Sequence, residues 1–240
     1  MALVPALDRR DLTPELMDDP ALDERMHRAA LRGLARLNRL SGAAGILWAP
    51  LRELTAAPGH PPLRVLDIAT GSGDVPAALE RRARAAGITL TVDGCDISET
   101  ALAIARGRFR AGGVGRAGAF FRLDALRQEL PADYDVVMCS LFMHHLPHDS
   151  VVELLYKMRC AARRMVLVSD LRRGRGGYLV AAAASRLVTR SGIVHADAVR
   201  SVRAAFSIDE FARAATRAGL DGARIEPVWP CRFRLVWGRA

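Results

Sequence analysis

The run LDIATGSGDVP, residues 66–76, carries an apolar strand straight into a glycine turn. Few architectures admit that order. The strand LRVLDIAT is a continuous apolar run with no polar alternation, which marks a strand buried on both faces, and such strands belong to parallel sheets covered by helices. Gly71 and Gly73, one residue apart, let a nucleotide approach the backbone closely.

The chain beyond the turn keeps the same rhythm. PAALERRARAAG reads as a helix, ITLTVDGCDI as a strand, and SETALAIARGRFR as a helix capped by Ser98. After the loop AGGVGRAG come the strand AFFRLD, the strand YDVVMCS, the helix DSVVELLYKMRCAA and the strand MVLVSDL. This alternation predicts an α/β fold with a doubly wound parallel sheet. Ser207 and Glu210 in SIDE form a capping box for a helix that closes at Gly219. ARIEPVW and CRFRLVWGR then read as two strands joined tightly enough to be antiparallel.

Two segments stand outside that rhythm. Residues 1–60 read as an N-terminal helical cap, with helix starts at Thr13-Pro14 and Asp19-Pro20 and an apolar stripe at Met26, Ala30, Leu34 and Leu37. A further helix around 46–54 runs to the boundary APGHPP, and the main domain follows over 61–240. The stripe either covers the active site or pairs with a second subunit as a homodimer. Residues 171–206 form a helical insertion too long for an ordinary connection, placed just after the carboxyl end of a strand, where open α/β sheets bind ligands. It reads as a lid.

A dinucleotide turn would present GxGxxG, but here Pro76 takes the third glycine's place, and no Walker lysine follows. What remains is a ribose held without a phosphate, with Asp96 at the end of the second strand to accept hydrogen bonds from both hydroxyls. In these features residues 63–238 resemble the class I S-adenosylmethionine-dependent methyltransferases. VLDIATGSGD is similar to their first motif, VDGCDIS to the second, FRLDAL to the third, and YDVVMCSLFMHHL to the region lining cofactor and methyl acceptor. The resemblance implies a Rossmann-like seven-stranded sheet with an antiparallel last strand, S-adenosylmethionine as cofactor, and S-adenosylhomocysteine as product. It implies that Asp67, Ala69, Gly71, Gly73, Asp96, Ile97, Asp124, Ala125 and Ser140 bind the cofactor. A side chain at Gly71 is expected to block the turn.

Methyl transfer to a phenol or enol needs a base near neutral pKa, which nominates His144 or His145. Trp48, Phe142, Met143, Tyr178, His195 and Phe206 are candidate walls for the acceptor. The amino-methylating NPPY signature is absent, the corresponding place reading CSLF, and so is the Pro-Cys nucleophile of cytosine C5 enzymes. No carboxylate stands at Cys139-Ser140, so no metal is expected. The "HHL" and the lid resemble methyltransferases of quinone and polyketide or other secondary metabolism. The expected activity is O-methylation of a phenolic, quinol or polyketide-type hydroxyl on a small molecule, with C- or N-methylation as the alternatives.

Composition enters as a limit on partners. The net charge of +9 admits an RNA-binding alternative through Arg172, Arg173, Arg175, Arg186 and Arg190. Lys157 is the only lysine among 35 basic residues, however, and usage that one-sided reads as compositional drift with no nucleic-acid partner. A cofactor-binding scaffold without turnover is the third class. The cysteines, Cys95, Cys139, Cys160 and Cys231, form no CxxC pair and read as reduced core residues of a cytoplasmic protein. MALVPALDRRD turns polar too soon for a signal peptide, and no apolar run reaches the ~20 residues that span a bilayer.

Overall fold

The computed structural model describes residues 7–19, 21–56, 60–111 and 118–239. Ala57 to Gly59 of the APGHPP boundary, most of the AGGVGRAG loop, and Pro20 lie outside them. The seven strands are β1 (Leu63–Ile68), β2 (Leu90–Asp96), β3 (Phe120–Arg122), β4 (Tyr134–Ser140), β5 (Ala162–Leu171), β6 (Arg224–Val228) and β7 (Arg232–Gly238). They form one sheet in the order β3-β2-β1-β4-β5-β7-β6, and only β7 pairs antiparallel, with β5 on one side and β6 on the other. The order reverses between β1 and β4. That reversal opens a crevice at the carboxyl ends of the two strands.

Among the described residues eight helices accompany the sheet: α1 (Glu24–Leu40), α2 (Ala43–Leu54), α3 (Asp74–Ala85), α4 (Glu99–Ala111), α5 (His148–Ala161), α6 (Arg175–Val188), α7 (Gly192–Ala204) and α8 (Ile208–Arg217). Alternation along the central strands divides the core. In β4, Val137 and Cys139 join α5 and α8 through Leu154, Leu155, Met158 and Phe211, while Val136 and Met138 join α2 and α3 through Leu47, Leu51 and Leu79. Both faces are therefore covered, as the unbroken apolar runs demand. No helix among the described residues is long and apolar enough to cross a membrane.

The expected capping box forms, with Ser207 Oγ accepting from the Glu210 N–H and the Glu210 carboxylate accepting from the Ser207 N–H. The expected starts at Thr13 and Asp19 do not hold. Residues Leu16–Asp18 make only a 3₁₀ turn, and α1 is capped by Asp23, whose carboxylate accepts from the Arg25 and Met26 N–H groups. A proline after a capping residue fits a helix start, but the side chain that reaches the free N–H groups decides the position. Two of the four cysteines also depart from expectation: Cys95 and Cys139 are buried, whereas Cys160 is exposed and Cys231 half-buried. All four are free thiols.

The apolar stripe of α1 meets the insertion. Ala30 packs with Ile193 and Val194 of α7, joined by Leu34 and Leu37, while Met26 stays exposed. The insertion is itself closed at its base. Arg173 donates its N–H to Phe206 O (3.0 Å) and its guanidinium to Ala205 O and to both Glu210 oxygens, each at 2.7 Å. These bonds take Arg173 out of the set of arginines proposed to meet phosphates. They also hold the Glu210 carboxyl down at about 2 against an ordinary 4.5. A depressed carboxyl stabilises the fold fully above its unfolded value, and that contribution disappears as pH falls from about 4.5 toward about 2. Glu210→Gln is expected to lower the urea midpoint at neutral pH and to flatten the acid limb of the stability profile. Unchanged midpoints across the titration would contradict this.

Candidate active site

The crevice between β1 and β4 is built by backbone held in unusual conformations. Ala69, one residue past β1, has φ 54°, and Leu141, one residue past β4, has φ 56°. A left-handed non-glycine residue costs roughly 1–3 kcal/mol and survives where surrounding structure enforces it. Here Thr70 N–H donates to Cys95 O (3.0 Å), and Leu141 N–H to Ser169 O (2.9 Å). Leu141 carries no sequence signal, since leucine rarely adopts this region.

Gly71 and Gly73 take φ 55° and 67°. Their roles differ. A Cβ on Gly73 would come within 2.9 Å of Ala105 Cβ, so its bareness lets α3 lie against α4. A Cβ on Gly71 would meet nothing within 4 Å. A side chain at Gly71 thus meets no protein atom, and its cost lies in the left-handed backbone that the turn requires there.

Acids line the turn. Asp67 is buried, its Oδ2 accepts from the Thr70 hydroxyl (2.7 Å), and its Oδ1 has no partner. Burial, opposed in part by that hydroxyl, pushes its carboxyl up to about 8. Asp96 accepts from Gly71 N–H (2.8 Å) through Oδ2 and from Ser98 N–H (2.9 Å) through Oδ1, and burial raises its carboxyl too. Each carboxylate oxygen keeps acceptor capacity beyond one bond. Ser140 Oγ, at the end of β4, is likewise buried without a partner. Ile97 is 63% exposed, an apolar side chain beside Asp96 with no cover.

The other expected residues separate. Asp124 uses Oδ1 to cap the following turn, accepting from the N–H groups of Leu126 (3.0 Å) and Arg127 (3.3 Å), with Ala125 buried beside it. Met143 and Phe206 are fully buried in the core, and Trp48 packs into the α2–α3 layer. Large apolar side chains serve core and pocket equally well in sequence. His195 Nε2 hydrogen-bonds Thr189 O (2.8 Å) inside the α6–α7 connection. Tyr178 lies half-buried in the first turn of α6, and Phe142 stacks on His145 with ring centroids 6.0 Å apart. A cleft of about 300 Å³ lined by Arg172, Gly177, Ile208 and Cys231 and a groove of about 790 Å³ between α1 and the α6–α7 connection both lie away from the motif residues.

The two histidines occupy the 3₁₀ turn Met143–His145 after β4. His144 is buried, with Nδ1 2.6 Å from Asp170 Oδ1 and Nε2 3.5 Å from Glu15 Oε1. Burial disfavours its charge, but Asp170 and Glu15 override that and raise it above the usual histidine value. Asp170, which burial alone would raise, is held low by His144 in return. Both ring nitrogens of His144 thus face carboxylates. His145 also faces acids, Nδ1 at 3.0 Å from Asp18 and Nε2 at 3.8 Å from Glu15. Glu15 and Asp170 were missed from sequence because nothing local announces a pairing across 26 or more residues.

Strand order, antiparallel last strand, glycine turn and acid at the end of β2 together define the class I S-adenosylmethionine-dependent methyltransferase fold. Residues 65–164 match the family model of the methyltransferase domain. Among curated relatives, the ubiquinone biosynthesis O-methyltransferase of Pseudomonas entomophila is 31% identical over 119 residues, covering 49% of this chain and 48% of that protein. The chain thus spans about half the length of the curated relatives it matches. Among solved structures, the magnesium protoporphyrin IX methyltransferase of Synechocystis with bound S-adenosylhomocysteine aligns with a TM-score of 0.59 at 16% identity, covering 93% of this chain and 91% of that one. The plantazolicin methyltransferase in complex with S-adenosylhomocysteine aligns with a TM-score of 0.64 at 14% identity, covering 93% and 92%. At such identities the likeness is one of fold.

Proposed function

We propose that the protein is an S-adenosylmethionine-dependent methyltransferase acting on a hydroxyl oxygen of a small molecule. The observation that carries the reading is the acid-lined glycine turn. Asp67, Asp74 and Asp96 stand around it, carrying oxygens that the hydroxyls and amino groups of a nucleoside can meet. Asp67 Oδ1 and Ser140 Oγ, buried and unpartnered, offer acceptors for its amino group and hydroxyls, and the open space over Gly71 leaves room for its backbone-facing edge.

S-adenosylmethionine supplies a methyl group on a sulfonium that is already a good leaving group. The protein's part is then alignment and exclusion of water. Asp96 would hold the ribose hydroxyls while its bond to Gly71 N–H keeps the turn in register, and Ile97 would cover the adenine face. The cap and insertion, joined through Ala30, Ile193 and Val194, would close over the acceptor. The names of the curated relatives favour oxygen over carbon or nitrogen as the methylated atom.

Calorimetric titration of the purified protein with S-adenosylmethionine, S-adenosylhomocysteine and NAD tests the cofactor. Saturable binding of the first two without NAD is expected. Binding of NAD, or of none of the three, would overturn the reading.

A further inference from the structure

The expectation of a metal-free protein rested on the missing carboxylate at Cys139-Ser140, but a different set of ligands converges a few residues further on. We propose that Glu15, His144 and His145 form a binding site for a divalent transition-metal ion, with one coordination position left open. The Nε2 atoms of His144 and His145 lie 3.5 Å and 3.8 Å from Glu15 Oε1. One ligand atom from each of the three residues falls within 4.8 Å of the others. Metal–nitrogen and metal–oxygen bonds of about 2.0–2.1 Å in a tetrahedral site place ligand atoms roughly 3.3 Å apart, so closure shortens the two Glu15 pairs by a few tenths of an ångström and the remaining pair by at most about 1.5 Å.

The groups behind these ligands distinguish the cluster from a chance meeting of charges. Each imidazole presents Nε2 to Glu15 because its Nδ1 faces a carboxylate: Asp170 at 2.6 Å for His144, and Asp18 at 3.0 Å for His145. That is the carboxylate–histidine–metal arrangement, in which the outer acid fixes ring orientation and tautomer. The structure contains it twice, aimed at one point. Glu15 is held by the Ser201 hydroxyl, and the N–H groups of Leu16 and Met17 are anchored on Asp197 at 2.8 Å and 3.0 Å.

Chemistry narrows the ion. Two imidazoles and one carboxylate suit Zn²⁺, Co²⁺, Ni²⁺ or Fe²⁺, whereas Mg²⁺ demands oxygen ligands and retains its waters. A dication also offsets part of the charge that Glu15, Asp18 and Asp170 bring to one place. The side chains of His144 and Glu15 are 5% and 9% exposed and that of His145 is 21% exposed, so the open position lies on the side of His145. It would take a water or an oxygen of the methyl acceptor, whose hydroxyl the ion would acidify in place of a free histidine base. The site shares no residue with the glycine turn and goes beyond the methyl-transfer reading.

The test is titration of the full chain, first stripped with a chelator, with Co²⁺, Zn²⁺ and Mg²⁺. One Co²⁺ per chain with the visible d–d absorption of a low-coordinate site, displaced by Zn²⁺ and untouched by Mg²⁺, is expected. His145→Gln should weaken Co²⁺ binding at least tenfold, and Asp18→Asn about 10- to 100-fold. Glu15→Gln should act like His145→Gln, and if it fails to fold, the two variants at partly exposed positions still decide. Absence of the absorption, or equal Co²⁺ affinity in His145→Gln and the parent, would overturn the proposal. S-adenosylmethionine affinity measured on the same samples separates failure of this site from failure of the methyl-transfer reading.

Discussion

Phe211→Ala is expected to lower the free energy of unfolding by about 3–5 kcal/mol, the range for deleting a fully buried aromatic ring. Phe211 is 0% exposed on α8 and sits between Phe206, at 5.5 Å edge to face, and Phe233 of β7, at 4.5 Å. The ring joins three separate pieces of the structure: the end of the insertion, the helix after it, and the antiparallel last strand. Neighbours drawn from three elements cannot collapse together into the vacancy, which places the cost toward the upper part of the range. Domains are stable by only about 5–15 kcal/mol, so this one truncation removes a large fraction of the total. Urea denaturation should show a midpoint lower by roughly 1–2 M at an ordinary denaturant slope. A shift well under about 0.5 M would mean that the α8 face is far looser than its burial indicates.

Asp96→Ala should weaken S-adenosylmethionine binding by about 1–3 kcal/mol. That corresponds to roughly 5- to 150-fold in dissociation constant. Two effects act together. The variant removes the acceptors proposed for the ribose hydroxyls, and it strips the Gly71 and Ser98 N–H groups of their partner, loosening the turn and the start of α4. Asp96→Asn separates them: its single carbonyl oxygen can restore one of the two backbone bonds while weakening acceptance from a diol. Calorimetry on both variants, with unfolding curves alongside, reads the result. Parental affinity in Asp96→Ala would remove the ribose assignment.

Much of the sheet was legible because its signals are local. Continuous apolar runs mark strands covered on both faces, and YDVVMCS matches β4 residue for residue. The glycine turn and Asp96 were legible for a similar reason, since glycine at positive φ and an acid at a strand end are backbone requirements that a short window displays. The histidine cluster was not. Its parts come from the 3₁₀ turn near the N-terminus, the turn after β4, and the end of β5, and only the folded sheet brings Glu15, His144 and Asp170 within reach. Met143 and Trp48 carry no comparable signal, because an apolar side chain looks the same in sequence whether it fills a core or lines a pocket. The start of α1 lies four residues beyond Asp19 because Asp19 and Asp23 are chemically the same cap and it is the Asp23 carboxylate that reaches the free N–H groups.

The N-terminal segment has a consequence for how the chain is made. Arg10 reaches Ala204 O at 2.6 Å across a separation of 194 residues, and the carbonyls of His144 and Leu146 at 2.9 Å each, with its guanidinium lying 3.5 Å over the Phe206 ring. A ribosome delivers Arg10 long before it delivers those partners. Contacts at such separation reward the chain only after the intervening loop has closed, so they form late. During synthesis the segment must wait beside a growing, half-covered sheet, and it docks only when α7 has emerged. A segment synthesised among the first is thus seated only after α7, while α8 and the last two strands are still to follow.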